Sequence, residues 1–431
     1  YHISMRSYRS ALIRAPLVWF EGEFRENIHV RVDASGKIAE IGADLSPKEG
    51  ETAVVLENQA LLPGFINTHS HAFHRFLRGR SFIGQQAATT FWAWRDNMYA
   101  LVENIEWETL KEYCSVVFSE MLSAGITTVG EFHYVHHGKG RFDLDSAVLE
   151  AAKEAGIRIT LIQALYQRGG FASPPLAPAQ ERFVSSFDDF VKSVEHLDQI
   201  AHERATIAVA AHSLRAVDET TTQKLWEYAR ATGRPFHIHL EEQPKEIEDC
   251  ITSTGQSPSQ WLLGMGVDGG ATAVHATFTP RERMEAMTKA GVHISVCPCT
   301  EGYLGDGVPS VDENTLICLG TDCNNRISLL EEMRWAAFSQ MAKHNSRAVA
   351  ALSAARLFEA ATVTGAASLG LSNVTGKLSK GYAFDFLTID LASPLLKDCP
   401  PSQLLDSIVF SLDNREIVQV GVDGDVRYER K

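Results

Sequence analysis

Short apolar runs recur through the middle of the chain: Leu61–Asn67, Thr127–Phe132, Ile157–Ala164, Thr206–Ala211, Pro235–Leu240, Ala271–His275, Val292–Cys297 and Thr315–Gly320. Continuous apolar runs bounded by polar segments predict strands covered on both faces. Between most of them the apolar positions take helical spacing, as in Trp107–Ala124, Asp145–Glu154, Val184–Arg204 and Asp218–Thr232. Eight such alternations predict an α/β fold, a (β/α)8 TIM barrel rather than an open sheet.

The two ends of the chain have a different texture. Ala11–Phe20, Asn27–Asp33 and Lys37–Ile41 read as strands with a turn at Ala34-Ser35-Gly36, and Tyr382–Asp390, Ile408–Leu412, Ile417–Val422 and Val426–Tyr428 do the same around Asp423-Gly424. Neither end has enough strands to bury a core alone. The expectation is one discontinuous small β-sandwich domain, residues 1–62 with 376–431, flanking a barrel over 63–375.

Composition narrows the function. The 431 residues include 40 Lys and Arg against 54 Asp and Glu, a formal charge of −14, which excludes a nucleic-acid partner held through phosphates. With 45% hydrophobic and 22% charged residues the chain is globular, not disordered. No apolar run reaches the ~18 residues of a membrane span, so no membrane partner is expected. The seven cysteines are scattered with no CxxC pair, which points to reduced thiols and a cytoplasmic protein. Cys297 and Cys299 are expected at alternating positions of a buried strand rather than as a metal pair. Met5 is the expected natural start, with Tyr1–Ser4 a leftover ahead of it.

The chemistry lies where apolar strands end in polar residues, the catalytic rim of a barrel. The first strand ends in Asn67-Thr68-His69-Ser70-His71, the fifth reads His237-Ile238-His239-Leu240-Glu241-Glu242, the sixth ends in His275, and the eighth in Thr321-Asp322. His69 and His71, two apart on a strand, share one side and can hold a divalent metal, with His239 as a third nitrogen donor and Asp322 as an oxygen donor. Arg95, Tyr134, His212 and Arg215 fall in segments at the barrel mouth. Arginines, a tyrosine and a histidine there predict a small anionic dicarboxylate guest, because guanidinium presents a planar fork to carboxylate.

Pro63–His71 and the exit strand Gly381–Asp390 resemble the amidohydrolase superfamily, and the resemblance spans nearly the whole chain. The end of strand four, Ala210–Arg215, has neither Lys nor Glu to bridge a second ion, so the likeness implies one divalent ion, Zn2+ first, with Fe2+ or Mn2+ able to replace it. It implies that Glu242 shuttles protons, that His275 assists, and that Asp322 both ligates and accepts a proton from water.

Within the superfamily, Phe91-Trp92-Ala93-Trp94-Arg95, Glu131–His137, His212-Ser213-Leu214-Arg215 and Cys297–Gly307 look like the formimidoylglutamate deiminase family. That likeness implies Arg95, Tyr134, His212 and Arg215 as holders of the glutamyl carboxylates, deimination of N-formimino-L-glutamate in histidine degradation, and a homodimer. Two positions depart from the pattern. His74 stands where Gln is usual and is carried over as a substrate-binding residue, and Cys323-Asn324-Asn325 follow Asp322 where Ser-His is usual. The rivals are a deaminase of the same branch acting on another amidine or an aminated heterocycle (guanine, cytosine or a triazine), and a non-enzymatic metal-binding scaffold.

Overall fold

The computed structural model describes residues 6–77 and 91–431. The expectation about Met5 and Tyr1–Ser4 lies outside the described residues. Eight parallel strands follow in order: β1 (Phe65–Ser70), β2 (Ile126–His133), β3 (Arg158–Leu165), β4 (Ala205–Ala211), β5 (Phe236–Leu240), β6 (Ala271–His275), β7 (His293–Val296) and β8 (Ile317–Leu319). Each pairs in parallel with the next, and a parallel bridge between Ser70 and Asp322 closes the ring. The chain is therefore a (β/α)8 barrel with extra sheets from its two ends. Most strand residues are buried on both faces, which is why these strands read as unbroken apolar runs.

The helices between strands start and stop where local chemistry dictates. Ser186 and Asp218 accept hydrogen bonds from the third residue of their helices, Phe187–Ile200 and Glu219–Thr232. Gly156 and Gly233 end helices in the left-handed conformation. The helix expected over 184–204 is thus trimmed at both ends.

The ends of the chain form two further sheets. One orders Ile38–Ala43, Ile28–Val32, Ala11–Arg14 and Thr52–Val55; the other orders Asp425–Glu429, Ile417–Val422, Phe386–Asp390, Gln59–Pro63, Leu17–Phe20 and Glu23–Arg25. Tyr8, Ile13, Val30, Leu61, Phe384 and Phe386 belong to one buried cluster between them.

Three expectations change here. Ala11–Phe20 is two strands in different sheets, broken at Pro16, which has no N–H for the ladder. Leu61–Asn67 is also divided: Gly64 separates a strand of the outer sheet from β1, and a Cβ there would lie 2.2 Å from Thr127 Oγ1. Ile408–Leu412 is not a strand. It ends the helix Pro401–Ser411, which buries Leu404, Leu405, Ile408 and Val409 on one face.

The outer sheets are fastened to the barrel by charge. Arg158 on β3 donates to both carboxylate oxygens of Asp385, at 2.8 and 3.1 Å, and to Asp423 at 2.6 Å. Among the described residues, no helix is long and apolar enough to cross a membrane.

Candidate metal centre and substrate pocket

Backbone pairing across the closing seam of the barrel sets the first part of the site. Asp322 N–H donates to His69 O at 2.9 Å and His71 N–H to Asp322 O at 3.0 Å. The Asp322 carboxylate thereby lies 3.6 Å from His69 Nε2 and 3.5 Å from His71 Nε2. His239, from β5, brings its Nε2 to 3.2 Å from that of His69. Gly320 leaves room for this approach, since a Cβ there would lie 2.7 Å from His69 Cβ.

The far side of each ring explains its tautomer. His71 Nδ1–H points at Phe132 O and His239 Nδ1–H at His212 O, both at 2.8 Å. Each Nε2 is left with a lone pair aimed inward. Burial holds the His71 and His239 imidazoles well below their usual range, in the neutral form a metal needs. Burial alone would raise the Asp322 carboxyl, but the His69 hydrogen bond and charge outweigh it and hold it low.

The donor set fits a divalent ion. Bonds of ~2.0–2.1 Å in a tetrahedral site put ligand atoms about 3.3 Å apart. Facing nitrogen lone pairs at 3.2 Å repel unless a cation or a proton lies between them. The backbone is strained here too: Glu241, His275 and Asp322 have φ of 50°, 70° and 43°, the left-handed region, at the ends of three strands.

Neighbouring glutamates at the end of β5 face different ways. Glu241 accepts from Ser259 N–H at 2.9 Å and Thr279 Oγ1–H at 2.7 Å, so it fastens the loops. Glu242 turns into the pocket, its Oε1 3.7 Å from His275 Nε2, and burial raises its carboxyl above the usual range. His275 Nε2 is also 3.7 Å from Asp322 Oδ2. Burial alone would lower His275, but Glu242, Glu301 and Asp322 around it raise it to about 10.

Above this floor a pocket opens. His74, Arg95, Tyr134, His212 and Arg215 all line it, with Trp94, Met98, Tyr99, Tyr166, Phe183 and Leu304 as the apolar and aromatic walls. Arg95 is carried by the helix Phe91–Val102 and stands over the Tyr99 ring, 5.3 Å from its centroid. Both arginines also line an outer hollow with Gly169–Ala172 and Lys245, so they stand at the boundary between the inner pocket and its approach. His74 Nε2 lies 3.0 Å from Tyr134 Oη, and burial pushes its imidazole down to about 3, so the ring at this position is uncharged.

All the sequence-nominated residues therefore meet at one end of the barrel. His69 alone is sealed behind the others, fully buried and absent from the pocket wall. Other contacts went unforeseen. Asn324 takes the space after Asp322, donating to Ser70 Oγ and His71 O, both at 3.0 Å, while Asn67 accepts Thr321 N–H at 3.0 Å. All three bonds join residues more than 250 apart in sequence, so no local pattern announces them. The cysteine pair is a correction: Cys297 precedes, and Cys299 lies within, the helix Pro298–Leu304, because Pro298 ends the strand at Val296.

A second buried histidine–aspartate cluster lies nearby. His136 Nδ1 donates to Asp145 Oδ1 at 2.9 Å, His136 Nε2 faces Ala164 O at 2.9 Å, and His133 Nε2 is 3.1 Å from the same Asp145 oxygen. Ser193 Oγ–H donates to the other oxygen at 3.2 Å.

The chain belongs to the amidohydrolase family, whose model matches residues 60–427, and it is a hydrolase of that family. It is 33% identical over 420 residues to the formimidoylglutamate deiminase of Pseudomonas aeruginosa, covering 92% of this chain and 90% of that protein. It is 27% identical over 375 residues to the 5-methylthioadenosine/S-adenosylhomocysteine deaminase of Thermodesulfovibrio yellowstonii, covering 85% and 79%. An amidohydrolase from Brucella melitensis has a similar structure, with a TM-score of 0.86 and 29% identity over 97% of this chain and 95% of that one.

Proposed function

We propose that the protein is a metal-dependent deiminase that hydrolyses N-formimino-L-glutamate to N-formyl-L-glutamate and ammonia, a step of histidine degradation. The observation that carries this reading is the pairing within one pocket of Arg95 and Arg215 with Glu242 and the histidine–aspartate floor. A doubly anionic guest with a hydrolysable C–N bond suits both halves. The 33% identity to the Pseudomonas deiminase across 92% of the chain supports the same substrate.

His69, His71, His239 and Asp322 would hold one divalent ion. Three nitrogens and a carboxylate suit Zn2+, and Fe2+ or Mn2+ fit the same donors. Such an ion supplies a water acidified to a pKa near ~7. Glu242 takes a proton from the attacking water and passes it to the departing nitrogen, a transfer that typically contributes ~10²–10⁴-fold. Its raised carboxyl suits both directions of that transfer. Asp322 accepts the second proton of the water, which passes by way of Glu242 to the departing nitrogen, and His275 steadies the oxygen of the tetrahedral centre. Water adds at the formimino carbon, the C–N bond to the terminal nitrogen breaks, and ammonia leaves.

Arg95 and Arg215 grip carboxylates away from the reacting carbon, with hydrogen bonds from Tyr134, His212 and the neutral His74. Fixing the guest in this way lowers the entropic barrier. The reading carries with it a cytoplasmic homodimer, which sedimentation at twice the 47.5 kDa chain mass would support.

The test is ammonia release from N-formimino-L-glutamate beside 5-methylthioadenosine, S-adenosylhomocysteine, guanine and cytosine. Turnover of a base with none of the amidine would overturn the assignment. The aromatic walls Trp94, Tyr99, Tyr166 and Phe183 are the feature that makes a base the second guest worth assaying.

A further inference from the structure

We propose that Glu301 is a positioning residue for His275, holding that ring in the orientation that turns its Nε2 onto Glu242 and Asp322. The kinetic part of the test rests on the deiminase reading above; the spectroscopic part does not.

Glu301 lies in the helix Pro298–Leu304 that follows β7 and is 2% exposed. Its Oε1 accepts the N–H of Cys297 at 2.9 Å and lies 3.3 Å from His275 Nδ1, the long end of the hydrogen-bond range. Having taken the Cys297 N–H, this oxygen acts as an acceptor. The nitrogen facing it must therefore carry a hydrogen, which fixes Nδ1–H on His275. The same ring then presents Nε2 at 3.7 Å to both Glu242 Oε1 and Asp322 Oδ2. A ring flipped by half a turn would point carbon at the two carboxylates instead.

Two features make an external hold necessary. His275 has a φ of 70°, so its backbone departs from the strand just where the side chain must be aimed. Glu301 is itself anchored, because its carboxylate takes the Cys297 N–H and its carbonyl closes the end of the helix with Asp306 N–H at 2.9 Å. The sequence Cys297–Gly307 thus places one carboxylate behind the ring, as outer partners orient histidines that act at metal centres.

The competing account is that Glu301 only caps its short helix. Full-length zinc-loaded protein with 15N-labelled histidine separates the two, with His275 assigned by its loss in His275→Asn. In the parent protein the His275 Nδ1–H should give a downfield, slowly exchanging proton signal, the mark of its hydrogen bond to Glu301. Glu301→Ala should lose that signature and lower kcat on the order of 10–100-fold, with KM and metal content little changed. Glu301→Gln keeps an acceptor oxygen and should recover the signature and most of kcat. An unchanged Nδ1–H signal in Glu301→Ala, or a fall in melting temperature with kcat intact, would overturn the proposal in favour of capping. If Glu301→Ala fails to fold, Glu301→Asp decides: its shorter arm should lose the His275 signal in a folded protein, and retention of the signal refutes the idea. If the parent protein releases no ammonia from formiminoglutamate, the substrate reading fails while the ring signature still decides the role of Glu301.

Discussion

The two buried histidine–aspartate clusters are built from the same residue types and differ in where their polar atoms point. Around Asp145 the acceptors are taken up: His136 meets an acceptor on each side, and Ser193 closes the second carboxylate oxygen, while His133 Nε2 approaches without a hydrogen bond. Around Asp322 the outward nitrogens of His71 and His239 are tied to carbonyls, and the inward ones converge on each other and on the carboxylate. Both groupings are close enough to hold an ion. The second faces the inner pocket at the barrel mouth, with His71, His239 and Asp322 in its wall. Proximity of ligand types alone therefore does not separate a structural network from a metal centre; the direction of spare lone pairs does.

Metal removal should give the largest contrast. Chelation should abolish ammonia release and added Zn2+ restore it. His239→Ala should lose the ion by elemental analysis, whereas Asp145→Ala should keep it. Loss of metal from the Asp145 variant would collapse the distinction between the clusters. Glu242→Gln comes next, with kcat expected to fall ~10²–10⁴-fold while metal content stays constant. Near-normal turnover would strip Glu242 of its proton-transfer role.

Asp145→Ala should instead act on stability, at about 3–5 kcal/mol, because it leaves buried polar partners uncompensated. Burial alone would raise the Asp145 carboxyl, but His136 and His133 outweigh it and hold it below the usual range. With a folded value below the unfolded one, its contribution is complete above about pH 4 and is lost as pH falls further. Denaturant midpoints followed down the acid limb should show the parent and the variant converging. Arg215→Ala is the mildest, raising KM roughly 10–100-fold, the worth of a hydrogen bond between charged groups. Unchanged kinetics there would remove the carboxylate clamp and favour an uncharged guest.

The legible parts of the molecule were those with local signals. Apolar runs ending in His, Asp or Glu marked the barrel rim, and in the folded chain His69, His71, His239 and Asp322 meet there. What stayed hidden depended on distant neighbours or on a weak breaker. Ile408-Val409-Phe410 looks like a strand until Pro401 and the helical spacing of Leu404, Leu405, Ile408 and Val409 are weighed together. Glu301 and Asn324 gain their meaning only from His275 and His71, which come from other strands.

The interleaved outer sheet also bears on how the chain is made. Gln59–Pro63 lies between Leu17–Phe20 on one side and Phe386–Asp390 on the other. During synthesis the early strand must wait with an open edge until the late one leaves the ribosome, after every barrel strand has emerged. A bare strand edge is a template for wrong partners, so nascent chains stalled within the barrel should be the species most dependent on chaperones.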